Sequence, residues 1–592
     1  MFGTAVLGLL ATSVVVCAAT TARGSLATCQ NFALRDISGV SLTAATYFPT
    51  NARVDISNVF SSLNASDLPA FCRVELVVVT NATAGSFANT EVWLPDAWNG
   101  RMVTIGNGGF GGGVTVSDLG GIAVPQGVST NTGHNSSAVD GSWAGPHNDN
   151  AIVDWGWRAV HLSVLAGKAV TEQYYRQPIR RSYYIGCSTG KESLSNSSVH
   201  DACQKPSNMH QEVDRGSPAN WMTHLQPWSI HMNLNVLPPT SPHFMTRDMW
   251  ADVIGPEVMR QCDALDGLKD GIINDPRACS FRPETLTCRP GQNASTCLTA
   301  DQISALHRIY ADYYEADQTY VFGGYYPGGE DAFPGGLVGS PPLRSPRTGS
   351  GGDAEGGCSD TQWTMEDYNA TDIVLGDAID PGQSNVSPPS PSPSPLLTRH
   401  PDMTHPDMTP RAPHHPQAID PDLLAYVAPP RNGKVLHYVG WADQLISPGN
   451  SLHYYETVHE STLANSALEI DDFYRLFLVP GMNHWLSSMQ HLPMVSMLMS
   501  SPVDAHQGGQ AANAFGGVSQ PRPLSSDAQH NVLAAMVRWV ENGIAPSTIT
   551  GVKYANDNPA AGVEFTRPLC KYPSTVRYKG GNPNRASSFD CE

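Results

Sequence analysis

The chain has 592 residues, of which 41% are hydrophobic and only 15% are charged. Its 35 Lys and Arg residues against 54 Asp and Glu residues give a formal net charge of −19. This balance argues against a nucleic-acid partner, which needs a basic surface, and against binding to an anionic membrane. The length allows one large elaborated domain or several ordinary ones.

The N-terminus is typical of a secretory signal peptide. Residues 5–19 are small and apolar, and the first charge follows at Arg23. Since this run is too short for a comfortable membrane span, we predict that residues 1–23 are removed and that the protein is secreted. No later run approaches the ~18 apolar residues that a membrane anchor needs.

Cysteines and glycosylation motifs agree with an extracellular protein. Of 12 Cys residues, Cys17 leaves with the signal peptide and 11 remain, so at least one thiol is unpaired or bonds to another chain. The expected glycosylation sequons are at Asn64, Asn81, Asn135, Asn196, Asn293, Asn369 and Asn385.

Short runs rich in β-branched and aromatic residues predict buried strands. They cover residues 75–80, 101–105, 182–187, 434–439 and 474–479. Residues 530–542 have helical periodicity, with Gly543 as a C-cap. Strands that alternate with helices predict an α/β fold with a parallel sheet.

A Cys-, Gly- and Pro-rich stretch at residues 220–430 interrupts this pattern. We interpret it as an inserted lid domain between two parts of the core, residues 24–219 and 431–592. Within it, residues 387–417 are of low complexity and cannot bury a core. Their histidines could bind a metal, but a solvated linker is favoured because the neighbouring prolines prevent a compact ligand cage.

The most informative chemical motif directly follows one predicted strand. Residues 186–190 read GCSTG, a G-x-S-x-G sequence in which small residues flank a serine on a tight turn and expose its hydroxyl. We therefore predict that Ser188 is a nucleophile. The alternative is a surface serine in a glycine turn.

A serine nucleophile needs a base and a group that orients the base. In α/β-hydrolases these follow in the chain order Ser, acid, His. Asp443 follows the predicted strand 434–439, and His484 follows the predicted strand 474–479. Each residue alone is more often structural, but their order and their shared position after strands favour a catalytic triad.

The oxyanion of an acyl-transfer intermediate needs backbone N–H groups. We expect one from Thr189, after the nucleophile, and another from the glycine-rich loop 106–113, with Gly109 as the candidate. A plain flexible loop is the alternative. A phosphate-binding loop is disfavoured because the G-K-[ST] ending and the Rossmann spacing are absent.

An acidic segment of the lid resembles a calcium loop. Residues 262–275 read CDALDGLKDGIIND, with carboxylates three and four residues apart that can wrap a hard cation. The spacing is not that of an EF-hand. An acidic turn is the alternative, and Cys262 and Cys279 could staple the loop.

Several motifs together resemble the tannase and feruloyl esterase family of fungal secreted esterases. They are GNGGF, TGHN, YYIGCSTG, CDALDGLKDGII, GWAD, RLFLVPGMNH, ANAFGG and FTRPLCKYP, and they cover most of the chain from about Cys29 to Glu592. The resemblance implies an α/β-hydrolase core with a large inserted lid and a triad of Ser188, Asp443 and His484.

The same resemblance implies a metal site, disulfides and a substrate class. A structural Ca²⁺ in the lid would be bound by Asp263, Asp266, Asp270 and the carbonyls of Leu268 and Ile272. The disulfides would be Cys29–Cys72, Cys262–Cys279, Cys288–Cys297 and Cys570–Cys591. Substrates would be small aromatic esters, or plant cell-wall or polyphenol esters, with a feruloyl or galloyl group.

Three departures from the family pattern matter. The family bridges a Cys before the nucleophile to a Cys after the catalytic His, but here Trp485 follows that His and Cys187 loses this partner. Residues 191–216 are polar and lack the expected apolar strand, and residues 485–507 lengthen a short connection. We hypothesise that these two segments, with residues 387–417, are translated intron or misjoined exon sequence.

Two other functions stay open from the sequence. Tannase activity would use the same chemistry with a more polar acyl pocket. A catalytically impaired secreted binding protein on the same fold is favoured by the lost Cys and opposed by the triad. A peptidase is disfavoured because nothing suggests a peptide cleft, and the sequence does not give the oligomeric state.

Overall fold

The structure is a computed structural model. It describes residues 24–122, 126–138, 140–144, 148–189, 212–314, 318, 320–334, 419–484, 527–555 and 561–592. The predicted signal peptide lies outside these ranges, as do residues 387–417, residues 485–507 and most of residues 191–216. The hypothesis of intron or misjoined exon sequence therefore stays a hypothesis.

Strands and helices alternate along the described chain. The strands are β1 Val40–Phe48, β2 Val54–Ser57, β3 Ser62–Ala65, β4 Phe71–Asn81, β5 Ser86–Pro95, β6 Arg101–Ile105, β7 Gln126–Thr130, β8 Arg181–Ser188, β9 Glu212–Pro218, β10 Tyr313–Tyr314, β11 Tyr320–Phe322, β12 Lys434–Gly440, β13 Tyr474–Val479, β14 Thr548–Tyr554, β15 Val563–Cys570, β16 Val576–Tyr578 and β17 Phe589–Cys591. The α-helices are α1 Leu26–Gln30, α2 Val116–Gly121, α3 Asp149–Val153, α4 Ala159–Tyr175, α5 Met222–Leu234, α6 Arg247–Met249, α7 Gly255–Cys262, α8 Ala300–Tyr310, α9 Leu424–Val427, α10 Pro448–Asn465 and α11 Val532–Asn542.

A nine-stranded sheet forms the centre of the described chain, in the order β1-β4-β5-β7-β6-β8-β9-β12-β13. The pairs from β1 to β7 are antiparallel, and the pairs from β7 through β6 to β13 are parallel. All five predicted strands belong to this sheet. Because the carboxyl ends of parallel strands meet at one edge, the loops after β6, β8, β9, β12 and β13 share that edge.

Burial along the strands follows their position in the sheet. In β12 every residue after the first is buried, as expected of a parallel strand covered on both faces. Val160 and Val164 of α4 belong to the apolar cluster on one face, with Val435. Met536 of α11 belongs to the cluster on the other face, with Phe477. This arrangement is an α/β-hydrolase core.

Strand β9 corrects one expectation from the sequence. Residues 191–216 were expected to lack a strand, but Glu212–Pro218 pairs in parallel with both β8 and β12. Val213, for example, lies opposite Tyr184 on one side and Val435 on the other. Backbone pairing on both sides outweighs the poor strand propensity of the sequence EVDRGSP, since strand propensity depends strongly on context.

The predicted helix at residues 530–542 is confirmed as α11, which begins two residues later than predicted. The Asn531 side chain accepts the N–H of Ala534 and so caps the N-terminus. Gly543 ends the helix with φ of +71°, the left-handed conformation that glycine adopts at little cost.

The described part of the lid segment 220–430 adds no strand to the central sheet. Helices α5 to α8 and the ribbon of β10 and β11 surround a core that includes Trp228, Trp250 and Phe333. Helix α9 instead packs in the apolar cluster of the central sheet, with Val435. The cluster around Trp228 also contains Phe110 of the glycine-rich loop and Ile446 from the loop after β12. The lid therefore packs directly onto the edge of the sheet that carries the predicted catalytic loops.

Disulfides fasten the core, the lid and the C-terminal ribbons. The bridges are Cys29–Cys72, Cys262–Cys279, Cys288–Cys297 and Cys570–Cys591, which are the pairs that the family resemblance implies. Cys187 lies outside these four bridges. None of the helices in the described ranges combines the length and the apolar character needed to cross a membrane.

Candidate active site

Ser188 lies on a strained turn at the carboxyl end of β8. Its φ of +55° is uncommon for a residue other than glycine, and a strained strand-to-helix turn is the setting of a serine nucleophile in G-x-S-x-G motifs. The side chain is partly exposed. The Ser188 carbonyl accepts the N–H of Ala219 at 3.2 Å, so the turn is fastened to the chain just beyond β9.

Asp443 and His484 form a buried pair after β12 and β13. Asp443 is fully buried and His484 is 5% exposed, and Asp443 Oδ2 lies 2.8 Å from His484 Nδ1. Asp443 Oδ1 accepts the N–H groups of Leu445 at 2.9 Å and Ile446 at 2.8 Å. Because a carboxylate only accepts, Nδ1 carries the hydrogen, and Nε2 is left as the nitrogen that can take a proton.

The backbone joins the loops that carry this pair. Ala442 donates its N–H to the carbonyl of Met482 at 3.1 Å. Gly440 makes this approach possible, because a Cβ there would lie 1.9 Å from the Met482 carbonyl oxygen. Only glycine allows the two chains to come this close.

Gln444 and Tyr325 complete the surroundings of the pair, and the sequence analysis missed both. Gln444 Oε1 accepts the backbone N–H of His484 at 3.0 Å. The Tyr325 hydroxyl, from the lid, donates to the Gln444 carbonyl at 2.7 Å. Adjacency to Asp443 was the only signal for Gln444, and nothing in the sequence singled out Tyr325.

The two oxyanion candidates contact each other on the nucleophile side. Thr189 Oγ1 donates to the Gly109 carbonyl at 2.7 Å. Gly109 has φ of +55°, and a Cβ there would lie 2.2 Å from the Ala138 carbonyl oxygen. The glycine is therefore required both by its backbone conformation and by the space available.

His134 of the TGHN motif, together with Ser136 and Trp143, holds Phe110, the residue that follows Gly109 in the glycine-rich loop. The Phe110 carbonyl accepts from His134 Nε2 at 3.0 Å, Ser136 Oγ at 2.6 Å and Trp143 Nε1 at 3.0 Å. Burial lowers the pKa of His134, so the imidazole is neutral near pH 7 and Nε2 carries its hydrogen. Three donors on one carbonyl fix the loop next to the nucleophile turn.

The predicted triad is brought together in part. Asp443 and His484 are in direct contact. Ser188 ends β8 at the same edge of the sheet, and β9 and β12 lie between β8 and β13. The hydrogen bonds of the described residues do not include one between Ser188 and His484.

The predicted calcium loop contains three aspartates with different partners. Asp263 Oδ1 accepts the N–H groups of Asp270 at 3.2 Å and Gly271 at 3.0 Å. Asp266 Oδ1 accepts the N–H of Leu268 at 3.0 Å. Asp270 pairs with the buried guanidinium of Arg567.

The charge in this loop is only partly balanced. Burial raises the pKa of Asp266 to about 6, with a further contribution from Asp270 and Asp263, and burial also raises the pKa of Asp270. Asn274 Oδ1 is buried without a hydrogen-bond partner among the described residues. These oxygens suit a hard cation such as Ca²⁺.

The calcium site stays a prediction, because the side chains are not arranged around a common point. In the part of the chain that the structure describes, no group of three or more His, Cys, Asp or Glu side chains is arranged to hold a metal ion. The donor chemistry of Asp263, Asp266, Asp270 and the Leu268 and Ile272 carbonyls fits calcium, whereas their arrangement does not yet form a closed site.

Comparisons with known proteins agree with this architecture. The family model described as tannase and feruloyl esterase matches residues 72–592. A probable feruloyl esterase B of Emericella nidulans is 30% identical over 584 residues, which cover 95% of this chain and 94% of that protein. A probable feruloyl esterase B-2 of Aspergillus terreus is 31% identical over 581 residues, which cover 95% of each.

Solved structures lead to the same family. The crystal structure of feruloyl esterase B from Aspergillus oryzae matches with a TM-score of 0.75 and 28% identity, over 96% of this chain and 99% of that one. The tannin acyl hydrolase of Aspergillus niger shares the fold, with a TM-score of 0.61, 18% identity and coverage of 94% and 92%. The chain therefore belongs to the tannase and feruloyl esterase family of carboxylic ester hydrolases.

Proposed function

We propose that this protein is a secreted serine esterase that hydrolyses esters of aromatic hydroxy acids, with feruloyl esters as the preferred class. One observation carries the proposal: a buried Asp443–His484 pair, 2.8 Å apart, lies at the same sheet edge as the strained Ser188 turn. The relatives named feruloyl esterase B support the acyl class.

The first half of the reaction transfers the acyl group to the enzyme. Ser188 Oγ attacks the ester carbonyl while His484 Nε2 removes its proton, and Asp443 stabilises the imidazolium that forms. The N–H groups of Thr189 and Gly109 stabilise the oxyanion. The tetrahedral intermediate collapses, His484 gives its proton to the leaving alcohol, and the acyl group stays on Ser188.

The second half releases the aromatic acid. His484 removes a proton from water, and the resulting hydroxide attacks the acyl carbonyl. The C–O bond to Ser188 breaks, and the serine oxygen takes the proton back from His484. Proton transfer needs Ser188 Oγ and His484 Nε2 to come within about 2.6–3.2 Å, a contact that often tightens only when substrate binds.

We also propose that the protein is an extracellular glycoprotein with a structural Ca²⁺ in the lid. Four disulfides support an oxidising compartment. Asn64, Asn135 and Asn293 are exposed and can accept glycans. Asp263, Asp266 and Asp270 would hold the cation with the carbonyls of Leu268 and Ile272, and the ion would stabilise the lid without entering the reaction.

The proposal is tested with the purified mature chain on methyl ferulate and methyl gallate, with Ser188→Ala as the control. We expect hydrolysis of both or of ferulate alone, a higher kcat/KM for ferulate, and no hydrolysis by the variant. A preference for gallate would indicate a tannase. Binding of the aromatic acid with no turnover of either ester would indicate a binding protein and contradict the proposal.

A further inference from the structure

We infer that Gln444 is a positioning residue that holds the backbone of His484 and transmits the packing of the lid to the catalytic base. This inference rests on the proposed function, because it assigns His484 the role of base. It concerns the contact between a side-chain oxygen and a main-chain N–H, which no pattern in the sequence indicated.

The first step is the way His484 is held at two points. Its imidazole contacts Asp443 at 2.8 Å, and its backbone N–H donates to Gln444 Oε1 at 3.0 Å. Gln444 is 5% exposed, so water does not readily replace its oxygen. One contact sets the orientation of the ring, and the other sets the position of the main chain that carries the ring.

The second step is the link from Gln444 to the lid. The Tyr325 hydroxyl donates to the Gln444 carbonyl at 2.7 Å. Tyr325 is 3% exposed, its ring stacks on Phe333 with centroids 4.3 Å apart, and burial raises its pKa, so it remains a donor. Lid packing therefore reaches His484 through two consecutive hydrogen bonds.

The third step is a neighbouring contact of the same kind. Ser447 Oγ donates to the carbonyl of Gly324 at 2.7 Å, directly before Tyr325 in the chain. A Cβ at Gly329 would lie 2.9 Å from Ala442 Cα, so the lid turn also packs against the loop before Asp443. The lid therefore supports the loop of the acid at more than one point.

The fourth step is that the loops after β12 and β13 contain no cysteine, so hydrogen bonds and packing, not a disulfide, hold His484 in place. Gln444 is thus a non-covalent anchor for the residue that must reach Ser188. A displacement of about 1 Å at a reacting group can lower the rate by about 100-fold.

The experiment replaces the side-chain acceptor and leaves the volume nearly unchanged. We expect Gln444→Met to lower kcat on methyl ferulate by roughly 10–100-fold while KM stays within about twofold, because the base is misplaced and substrate binding is not.

A conservative variant supplies the rescue. Gln444→Glu keeps an acceptor oxygen and should retain a kcat close to that of the wild type at high pH. If Gln444→Met does not fold, Tyr325→Phe, which removes only the hydroxyl, takes its place. It should also lower kcat and leave KM unchanged, with a smaller decrease in kcat.

Gln302→Met is the matched control. Gln302 is a buried lid glutamine whose side chain donates to the Phe244 carbonyl at 2.7 Å and caps α8 with Thr299. Its loss should lower the melting temperature and leave kcat unchanged. Equal kcat values for Gln444→Met, Tyr325→Phe and the wild type would overturn this inference alone, whereas a wild-type chain inert towards both esters would overturn the proposed function and the inference together.

Discussion

Asp443, the proposed catalytic acid, and the acidic loop of the lid differ in how the fold surrounds their carboxylates. Asp443 is fully buried, yet its oxygens accept two backbone N–H groups and contact the His484 imidazole. In the lid, burial raises the pKa of Asp266 and Asp270, and the guanidinium of Arg567 pairs with Asp270. Asp443 thus has polar partners for both of its oxygens within the fold, whereas burial disfavours the charged forms of Asp266 and Asp270 in the lid.

This difference suggests a catalytic role for Asp443 and a structural role for the carboxylates of the lid. The fold itself holds Asp443 and His484 in contact, and a fixed orientation is what a catalytic base requires. The acidic loop is closed by the Cys262–Cys279 disulfide, and burial raises the pKa of two of its carboxylates, Asp266 and Asp270. We therefore expect changes at Asp443 to act on kcat and changes at the lid carboxylates to act on stability.

The largest expected effect is at Asp443, the proposed catalytic acid. Asp443→Asn should lower kcat by about 10³- to 10⁴-fold, because an amide favours the wrong imidazole tautomer and cannot stabilise the imidazolium. The measurement is steady-state hydrolysis of methyl ferulate. Asp471→Asn, which removes a partly exposed carboxylate that pairs with Lys571, is the control. A similar loss in both variants would refute a specific role for Asp443.

A second buried carboxylate of the lid should make stability depend on pH. Burial raises the pKa of Glu330 from 4.5 to about 7. Between these values the folded state binds a proton that the unfolded state has lost, so the free energy of unfolding should fall as pH rises, by at most about 3 kcal/mol. The loss should level off only about one pH unit above the folded-state pKa, where Glu330 is ionised in both states.

Denaturant unfolding at pH 5 and pH 7.5 measures this slope. Glu330→Gln should flatten it, because an amide does not titrate in this range. An identical pH slope in the variant and the wild type would show that Glu330 ionises freely in the folded protein.

Removal of calcium should destabilise the lid. A site that is saturated at 100 times its Kd contributes about 2.7 kcal/mol to the free energy of unfolding. We expect a chelator to lower the melting temperature, calcium to restore it, and magnesium to restore it poorly. Asp266→Asn should abolish the response, and a wild-type melting temperature that ignores the chelator would rule out the metal site.

The smallest expected effect is on the nucleophile side. Thr189→Val removes the hydroxyl that donates to the Gly109 carbonyl at 2.7 Å and should lower kcat about fivefold, which corresponds to one hydrogen bond of about 1 kcal/mol. Thr171→Val removes a comparable buried bond, to the Gly167 carbonyl in α4. The control should lower stability and leave kcat unchanged, so equal kcat losses in both would contradict an oxyanion role.

The elements that could be predicted from the sequence are those with a local pattern of residue types, such as a buried strand. The strands β12 and β13 were predicted from short runs rich in β-branched and aromatic residues, and they place Asp443 and His484 at one edge of the sheet. Strand β9 could not be predicted, because EVDRGSP becomes a strand through pairing with neighbours on both sides.

Contacts between distant side chains and the main chain were also beyond prediction. The bond from Gln444 to His484 depends on two loops that are brought together by a sheet, and the hydroxyl of Tyr325 reaches them from the lid. No periodicity or spacing encodes such contacts. The glycines could be predicted only in part. Gly109 was a candidate because of its motif, whereas the requirement for glycine at position 440 becomes clear only from its close approach to Met482.

Covalent labelling with a fluorophosphonate tests the central claim most directly, because this reagent reacts with a serine that an adjacent base activates. Mass spectrometry of the labelled mature chain should place one adduct on the peptide that contains Ser188. His484→Ala should slow the labelling by orders of magnitude while the fold is retained. An adduct on a different serine, or undiminished labelling of Ser188 in His484→Ala, would contradict the catalytic arrangement described above.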